Sequence, residues 1–466
     1  MTTHSFIPVH KLLVERDTSA WSDYWQRTSN ADRDIYSHYP KFIADLIAVI
    51  RRDQLNRLFL IHKDRACFLA GFLASVYAGV PVVLPPSDAP GLLRDLMKPG
   101  DGLLTDEPEL LDLYSNSYLM RDYDATSQTP ITFPTLDPSK AFITFYTSGS
   151  TSSPKAIEKT LTQLETEIVA LEDKWGPDGE ESIFFSTVPH HHIYGLLFSL
   201  LWPVCGGYPL HPQTFTYWEE LLPQVKDKDY LISSPSHLGR LPELADRSTL
   251  KLKRIFSSGG ALSFNTAQSV EQNLHTLPVE ILGSTETGGI AYRQQLQKEQ
   301  PWTRFRGVKL VPGNDQRFYL QSVYMSEKTL YQTEDLIQVI DPDHFHLLGR
   351  ADRIVKVEGK RICLLEIEKR LLMISDFIQE VIVIPLTTSK RNELGTLVVL
   401  SDKGQQWMAS IGKAQFIREL RANLKQYLDP IVIPRKWRFL TEIPTNAQGK
   451  RPYHLLLEFF KEKESQ

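Results

Sequence analysis

Cysteine is scarce in this chain of 466 residues, which has three: Cys67, Cys205 and Cys363. They lie far apart, and no two have the close spacing of a metal site or a redox motif. Disulfide frameworks are typical of small secreted proteins in which cysteines are dense. The scarcity therefore excludes a disulfide scaffold, and we expect three reduced thiols in a cytoplasmic protein.

A strong charge of one sign and a long hydrophobic run are also missing. The net charge of -4 at pH 7 provides no electrostatic argument for binding a nucleic acid or an anionic membrane. No apolar run reaches the ~20 residues that span a bilayer, and Leu196–Pro203 is short enough to be a buried segment. The first residues lack the basic and apolar regions of a signal peptide. We expect neither a nucleic-acid partner nor membrane insertion.

The common nucleotide-binding signatures are absent as well. A Walker A loop requires Gly-Lys-Ser/Thr after a glycine and four further residues, but the pair Gly449-Lys450 is followed by Arg451. No GxGxxG motif lies between a strand and a helix, which disfavours a dinucleotide-binding site. Nucleotide chemistry in this chain must therefore belong to another class.

What is present is a regular alternation of short apolar runs and longer helical stretches. Leu58–Ile61 and Val80–Leu84 read as strands, and Ala66–Ala78 reads as the helix between them. Strands that alternate with helices indicate parallel sheets in an α/β architecture. The chain is too long for one ordinary core, so two or three domains are expected.

The character of the chain changes near Gly349. Beyond it the pattern predicts strands near Arg353–Val357 and Val381–Pro385, helices near Leu365–Met373 and Lys413–Tyr427, and a further strand at Leu394–Leu400 that completes a sheet. This compact α+β pattern suits an independent small domain. We therefore expect a large N-terminal domain of α/β subdomains at residues 1–349, with sheets flanked by helices, and a small α+β domain at 350–466.

A loop rich in hydroxyl groups follows the strand-like run Ala141–Tyr146. It consists of Thr147, Ser148, Gly149, Ser150 and Thr151, and Lys155 closes the segment. Hydroxyls, exposed backbone N–H groups and one ammonium suit the oxygens of a polyphosphate. A Ser-rich turn would explain the hydroxyls alone, but the lysine after a buried strand favours an anion site.

Two further loops carry groups that suit a nucleotide. Gly259, Gly260 and Ala261 follow a strand, and such a step allows a flat ring to lie against bare backbone, although a tight turn is the alternative. Thr285 and Glu286 place a hydroxyl beside a carboxylate, which suits Mg²⁺ and phosphate. A capping box at the start of a helix explains this last segment equally well.

Three adjacent histidines, His190, His191 and His192, suggest a metal site at first sight. Adjacent side chains do not converge on one ion, and no carboxylate or cysteine lies close by, so a gate or pocket wall is favoured.

Two residues later in the chain could also contact a ligand. Asp335 is placed to accept hydrogen bonds from sugar hydroxyls, unless it only ends a strand. Lys450 lies on a Gly-containing loop, where a solvated lysine is the default.

In this order and at these distances, the segments resemble those of the adenylate-forming superfamily. That family includes acyl- and aryl-CoA synthetases, firefly luciferase and the adenylation domains of peptide synthetases. The resemblance runs from Ala141 to Lys450, and the hydroxyl loop together with Gly349-Arg350-Ala351-Asp352 makes it specific. The compact length and the loop at residues 283–289 look like stand-alone ligases that prime acyl carrier proteins.

The resemblance implies a role for each matching residue, with ATP and Mg²⁺ as cofactors. The ATP phosphates would be held by Thr147, Ser148, Gly149, Ser150, Thr151 and Lys155, adenine would be flanked by Gly259, Gly260 and Ala261, and the ribose would be bound by Asp335 and Arg350. The catalytic residues would be Lys450, Thr285, Glu286 and His192, with Glu286 holding Mg²⁺. The hinge would be Asp352, and the thioester-forming conformation would use Lys356 and Gly359.

The implied chemistry explains these residue types. A carboxylate that attacks the α-phosphorus of ATP is an anion approaching an anion, so Mg²⁺ on Glu286 and the ammonium of Lys450 would offset the developing charge. In the family, the small domain then rotates about the hinge and admits a thiol.

Four positions depart from the family pattern. Ser152 stands where glycine is usual, Leu282 replaces an aromatic residue that stacks on adenine, Glu334 replaces a glycine, and Asn446 stands where threonine is common. None of these changes removes a charge that the mechanism needs, so we expect activity.

The substrate can be narrowed to a class. Amino-acid-activating members carry an aspartate just before the histidine segment, but residues 183–188 contain no carboxylate, so a fatty or aromatic acid is favoured. An apolar pocket would be formed by Val188, Ile193, Leu196, Leu197 and Phe198, unless these residues only fill the core. The acceptor would be the phosphopantetheine thiol of an acyl carrier protein or, alternatively, free CoA. A non-catalytic protein that binds nucleotide or acyl-adenylate is the alternative of another class.

Overall fold

Two compact units make up the protein. The computed structural model describes residues 5–17, 21, 38–114, 116–119, 131–147, 155–177, 182–244, 250–313, 317–325, 330–350, 353–357, 360–374, 376–387, 392–428, 430–445, 451 and 453–461. The first unit comprises Met1–Lys309 and Gln321–Leu330, and the second comprises Leu310–Leu320 and Tyr331–Gln466. The predicted domain boundary between residues 349 and 350 stays a prediction.

The first sheet of the first unit is mainly parallel. Its strands are β1 (Leu58–Ile61), β2 (Val82–Leu84), β3 (Gly102–Thr105), β4 (Ser117–Leu119), β5 (Phe142–Thr147) and β6 (Lys155–Thr160). They lie in the order β4-β3-β1-β2-β5-β6, and all neighbours are parallel except the antiparallel pair β5 and β6. The apolar runs at β1 and β2 are buried, as expected for strands covered on both faces.

The second sheet of the first unit is larger and combines parallel and antiparallel strands. Its strands are β7 (Phe184–Ser186), β8 (Leu210–Thr214), β9 (Tyr230–Ser233), β10 (Arg254–Ser257), β11 (Val279–Ser284), β12 (Gly288–Gln294) and β13 (Trp302–Arg304). Strands β8, β7, β9, β10 and β11 are parallel neighbours in that order, and β12 and β13 continue antiparallel.

Helices flank these sheets. The helices of the first unit are α1 (Tyr39–Arg52), α2 (Arg65–Ala78), α3 (Pro90–Leu96), α4 (Leu161–Trp175), α5 (Trp218–Leu221), α6 (Pro235–Leu238) and α7 (Phe264–Leu274), besides the single turn Leu12–Glu15 and the 3₁₀ segments Val9–Lys11 and Pro108–Leu113. Helix α2 shows how the sequence sets both ends. The Asp64 side chain accepts from the backbone N–H groups of Ala66 and Cys67, and Gly79 ends the helix at φ +81°.

A continuous helical run follows the histidine segment. It consists of Ile193–Gly195, the π-helical Leu196–Leu201 and Trp202–Gly206. The predicted buried segment at Leu196–Pro203 is confirmed, because every residue of the π-helical part is buried. Phe198 packs against Phe256 with ring centroids 5.3 Å apart, within the core of the second sheet.

The second unit is an α+β structure. Its strands include β16 (Tyr331–Val339), β17 (His344–Arg350), β18 (Ile354–Val357), β19 (Lys360–Cys363), β20 (Ile378–Thr387), β21 (Asn392–Leu400) and β22 (Lys436–Leu440), after β14 (Val308–Pro312) and β15 (Arg317–Ser322), where the chain passes from one unit to the other. Its helices include α8 (Leu364–Ile374), α9 (Asp402–Ile411), α10 (Lys413–Leu424) and α11 (Tyr453–Leu457), with the 3₁₀ segments Pro430–Val432 and Glu458–Phe460.

The core of the second unit lies between helices and a three-stranded sheet. Strand β21 pairs antiparallel with β20 and parallel with β22. Ile367 and Leu371 of α8 and Phe416 of α10 are fully buried against this sheet together with Val383. The predicted α/β class is confirmed, and the small α+β domain predicted at 350–466 stays a prediction.

The element boundaries differ from the prediction in physically simple ways. The helix predicted at Lys413–Tyr427 ends at Leu424, because the N–H groups of Gln426 and Tyr427 donate to carbonyls three residues earlier and tighten the last turn. Helix α9 and strand β6 were not predicted. Within the part of the chain that the structure describes, no helix is long and apolar enough to span a bilayer.

Candidate active site

Most of the predicted site segments in the first unit follow the carboxyl ends of parallel strands. His190–His192 follow β7, Gly259–Ala261 follow β10, and Thr285 and Glu286 follow β11. Strands β7, β9, β10 and β11 are neighbours and parallel, so these segments emerge at one edge of the sheet. In open α/β sheets, ligands bind outside this edge.

The hydroxyl loop is anchored by the hairpin of β5 and β6. Thr147 and Lys155 are cross-strand partners, so the ends of the loop are fixed next to each other. Ser148, Gly149, Ser150, Thr151 and the divergent Ser152 lie outside the described residues, as does the side chain of Thr147. Their predicted contact with phosphate stays a prediction.

Lys155 and Glu286 are brought together from distant parts of the chain. Lys155 Nζ lies 3.8 Å from Glu286 Oε1, and the two side chains are 60% and 20% exposed. An ion pair this exposed contributes little to stability, because water already solvates the ammonium. The pair therefore leaves an accessible cation and a carboxylate side by side, as an anionic ligand with a bound metal ion would require.

The segment that carries Thr285 and Glu286 is a turn between two antiparallel strands. Ser284 Oγ accepts from Thr287 N at 3.2 Å, and Thr287 Oγ1 accepts from Ser284 N at 3.2 Å. Strand β11 precedes this turn and β12 follows it. The capping-box alternative for this segment is therefore wrong, because no helix begins here.

A buried lysine, Lys159, donates hydrogen bonds to the backbone of this turn. Lys159 Nζ donates to the backbone oxygen of Glu286 at 2.8 Å and to that of Tyr324 at 2.9 Å. Burial lowers the pKa of Lys159, and the nearby carboxylates of Glu167 and Glu286 oppose this effect.

The buried carboxylate of Glu167, on α4, forms a hydrogen bond at the other end of the turn. Glu167 Oε1 accepts from Gly289 N at 2.7 Å. Burial raises the pKa of Glu167 to about 7, while the Gly289 hydrogen bond and the charge of Lys159 act in the opposite direction. Neither Lys159 nor Glu167 was predicted from the sequence as a site residue. A signal was present, since Glu167 falls on the face of α4 that also buries Leu164, Ile168 and Leu171.

A cavity of about 260 Å³ lies beside this support. Its lining residues are Phe142, Glu158, Lys159, Thr160, Gln163, Glu286 and Met325. The volume is below the roughly 300 Å³ at which ordinary ligand pockets begin. Five of its seven lining residues have polar side chains, so we do not assign it to an acyl chain.

The Gly259–Ala261 segment presents bare backbone. All three residues are exposed, Gly259 has φ +87°, and a Cβ atom at Gly259 would meet nothing within 4 Å. Ser258 Oγ donates to the backbone oxygen of Ile281 at 2.9 Å, which ties this loop to the neighbouring strand β11. The open space suits a flat ring, and the predicted contact with adenine stays a prediction.

The histidine segment packs against the rest of the first unit. His190 is buried, its Nε2 lies 2.7 Å from the backbone oxygen of His62, and its ring packs on Phe68. Burial lowers the pKa of His190 well below its ordinary value and that of His191 to about 4, so both rings are neutral at pH 7. Among the described residues, which include all three histidines, no cluster of His, Cys, Asp and Glu could hold a metal ion. The role proposed for His192 stays a prediction.

The apolar residues after β7 are deeply buried. Leu196, Leu197 and Phe198 are at most 2% exposed, and Phe198 also packs against Trp202. This burial is what the core-filling alternative predicts for the three residues. Their predicted role as an acyl pocket gains no support from it.

In the second unit, the two residues predicted to bind ribose face each other across a ladder. Asp335 of β16 and Arg350 of β17 are cross-strand partners. Lys356 of β18 pairs with Arg361 in the hairpin of β18 and β19. Their side-chain roles stay predictions, and Asp352, Gly359, Asn446 and Lys450 lie outside the described residues.

Comparison with known proteins identifies relatives of this chain. Residues 101–317 match a family model described as "AMP-binding enzyme". The 4-coumarate–CoA ligase of Cereibacter sphaeroides is 25% identical over 323 residues, which are 67% of this chain and 70% of that protein. The 3,4-dihydroxybenzoate–[aryl-carrier protein] ligase of Bacillus anthracis is 24% identical over 326 residues, 67% of this chain and 72% of that protein.

Other relatives are far longer, and the chain spans 9% of a Delta-poly-L-ornithine synthetase from Acinetobacter baumannii. Among solved structures, ATP-bound MatB from Rhodopseudomonas palustris has a TM-score of 0.73 to this chain at 17% identity. That similarity covers 98% of this chain and 99% of the other. At this identity the likeness establishes the fold and nothing further.

Proposed function

Because the chain belongs to the adenylate-forming superfamily of AMP-binding enzymes, as its motifs indicated, we propose that it is an ATP-dependent carboxylic acid ligase. In the first step, a carboxylate oxygen of the acid attacks the α-phosphorus of ATP, the bond to the β-phosphate oxygen breaks, and pyrophosphate leaves. In the second step, a thiolate attacks the acyl carbon of the adenylate and AMP leaves.

The observation that carries this proposal is the meeting of Lys155 and Glu286 at the anchored end of the hydroxyl loop. The exposed ammonium of Lys155 can bind phosphate oxygens as they arrive. Gly259, Gly260 and Ala261 leave room for the base at the neighbouring strand end. Lys450 would approach the α-phosphate as the second cation and would offset the charge that develops during attack.

Glu286 fits a magnesium ion by the chemistry of its donor atoms. Mg²⁺ is commonly held by one or two carboxylates together with substrate phosphates, and not by a cage of protein ligands. The Glu286 carboxylate faces an exposed lysine that can move away, and the described residues offer no cluster of three ligands. When bound, the ion would neutralise charge on the phosphate oxygens.

For the second step we propose the phosphopantetheine thiol of an acyl carrier protein as acceptor, with free CoA as the alternative. Both kinds of activity occur in the names of relatives, a CoA ligase and an aryl-carrier-protein ligase. We propose a fatty or aromatic acid as substrate, because residues 183–188 provide no carboxylate for an α-ammonium group. The setting would be the cytoplasm.

ATP–pyrophosphate exchange with fatty, benzoic, cinnamic and amino acids tests the first step. We expect exchange with at least one acid that lacks an α-amine, and its loss in Lys450→Ala. The same variant should still form thioester from preformed adenylate. If no acid supports exchange, the protein binds nucleotide without turnover and the ligase proposal is wrong. Parallel assays with CoA and a holo-carrier protein identify the acceptor.

A further inference from the structure

The turn that carries Thr285 and Glu286 is held by two buried side chains, Lys159 and Glu167, that the adenylation chemistry does not itself use. Lys159 is 4% exposed, although an ammonium is costly to bury unless its hydrogen bonds are satisfied. Two of its three N–H donors reach backbone oxygens, those of Glu286 and Tyr324. Lys159 therefore ties two separate loops of the first unit to strand β6.

Glu167 provides a third attachment. It is 6% exposed on α4, and its carboxylate accepts from the N–H group of Gly289. Gly288 fits closely beneath it, since a Cβ atom there would lie 2.7 Å from Glu167 Oε2. The two side chains thus fix the turn at Glu286 and again at Gly289.

Stability alone does not explain these two buried side chains, because removing an ammonium or a carboxyl group from water is costly even where hydrogen bonds are formed. Lys159 ends on the backbone of Glu286, the residue that carries the carboxylate proposed to hold Mg²⁺ and that directly follows Thr285. Glu167 ends on the backbone of Gly289, three residues later. This placement is what a positioning device requires.

We propose that Lys159, with Glu167, is a positioning residue that sets the backbone of the Thr285–Glu286 turn before ATP binds. The inference deepens the proposed function and rests on it for its kinetic consequence. The structural consequence, a turn held in place in the free protein, is independent of any substrate. Misplacement of reacting groups by about 1 Å can reduce a rate by about 10²-fold.

The experiment compares Lys159→Met and Glu167→Gln with the matched control Glu165→Gln. Glu165 lies on the same helix, is 8% exposed and accepts a backbone N–H, that of His10, at 2.8 Å. It attaches the N-terminal segment instead of the turn. The first readout is amide hydrogen exchange of residues 279–294 in the free protein. The second is kcat and the ATP KM of pyrophosphate exchange.

We expect Lys159→Met to raise amide exchange at the turn by at least about 10-fold over the Glu165→Gln control. With an accepted acid, kcat should fall by about 10²-fold while the ATP KM changes by less than about 3-fold. The reason is that a misplaced turn stabilises the transition state less and affects the binding of ATP little. Glu167→Gln keeps an oxygen for Gly289, so it should give a smaller change of the same kind. This second variant decides the matter if Lys159→Met does not fold.

Turn exchange and kcat equal to those of the Glu165→Gln control in both variants would overturn the proposal. A fall in stability without loosening of the turn would also overturn it. If the wild-type protein shows no pyrophosphate exchange with any acid, the proposed ligase function fails, but the amide-exchange comparison still decides whether Lys159 holds the turn.

Discussion

Two lysines on strand β6, Lys155 and Lys159, differ in burial and therefore in the contacts that they can make. Lys155 is 60% exposed and faces Glu286 at 3.8 Å, whereas Lys159 is 4% exposed and donates to two carbonyls. The first ammonium can exchange its partner for a phosphate. The second cannot leave without exposing unsatisfied backbone oxygens. The same type of side chain is thus available to a ligand at position 155 and supports the backbone at position 159.

Replacing Lys155 by methionine should weaken ATP binding more than it weakens the fold. A hydrogen bond to a charged group contributes about 1.5–3 kcal/mol, so kcat/KM for ATP should fall by about 10- to 100-fold. The free energy of unfolding should change by less than about 1 kcal/mol, because the Lys155 side chain is 60% exposed and lies 3.8 Å from Glu286. Pyrophosphate-exchange kinetics and urea unfolding measure the two effects.

Lys140→Met is the control for this variant. Lys140 is 82% exposed and lies 3.7 Å from Asp137, just before β5. It should leave kcat/KM for ATP unchanged. Equal kinetic losses in the two variants would show that a general charge effect, and not contact with phosphate, accounts for the result.

At the scale of elements, the hairpin of β11 and β12 tolerates substitution poorly at Gly288. Gly288 has φ +68°, a left-handed conformation that disfavours a side chain. A Cβ atom there would lie 2.7 Å from Glu167 Oε2 and 2.8 Å from Tyr324 Cβ. The turn therefore depends on glycine for two separate reasons, backbone conformation and space.

Gly288→Ala should accordingly destabilise the protein by about 2–4 kcal/mol, the combined effect of a left-handed alanine and local overpacking. Gly79→Ala separates the two causes. Gly79 ends α2 at φ +81°, but a Cβ atom there meets nothing within 4 Å, so its loss should be limited to about 1–2 kcal/mol. Urea unfolding followed by tryptophan fluorescence compares them, and similar losses would show that space at Gly288 is not limiting.

The elements also show what the sequence can and cannot predict. Local apolar runs were enough to predict β1, α2 and β2, because short-range burial leaves a direct pattern. The support of the turn was not predictable. Lys159 and Glu286 are 127 residues apart, and Glu167 and Gly289 are 122 apart, so these contacts depend on how the elements of the first unit pack. A sequence motif identifies the groups that meet a ligand more readily than those that hold them.

At the scale of the whole molecule, the likeness in fold to MatB covers nearly the full chain, and the residues proposed for the chemistry are divided between the two units. Lys155, Glu286 and their support belong to the first unit, whereas Asp335 and Arg350 belong to the second. The support can therefore be examined through the stability of the protein, without reference to the position of the second unit.

The pH dependence of unfolding is the global measure of that support. Burial raises the pKa of Glu167 from 4.5 to about 7, so between these values the folded protein retains a proton that the unfolded chain has released. The stabilising effect of this proton is present in full below pH 4.5 and is lost as the pH rises through about 7. At 1.36 kcal/mol per pKa unit, the loss is about 3 kcal/mol.

Glu167→Gln should remove this contribution, because an amide does not titrate. Urea unfolding at about pH 5 and about pH 7.5 should therefore show a smaller fall in stability for the variant than for the wild type, by about 3 kcal/mol. Glu158→Gln, at an exposed position of β6, should keep the wild-type difference. Equal pH dependence in wild type and Glu167→Gln would mean that Glu167 is ionised throughout this range, and that the pair with Lys159 is charged on both sides whenever the turn is formed.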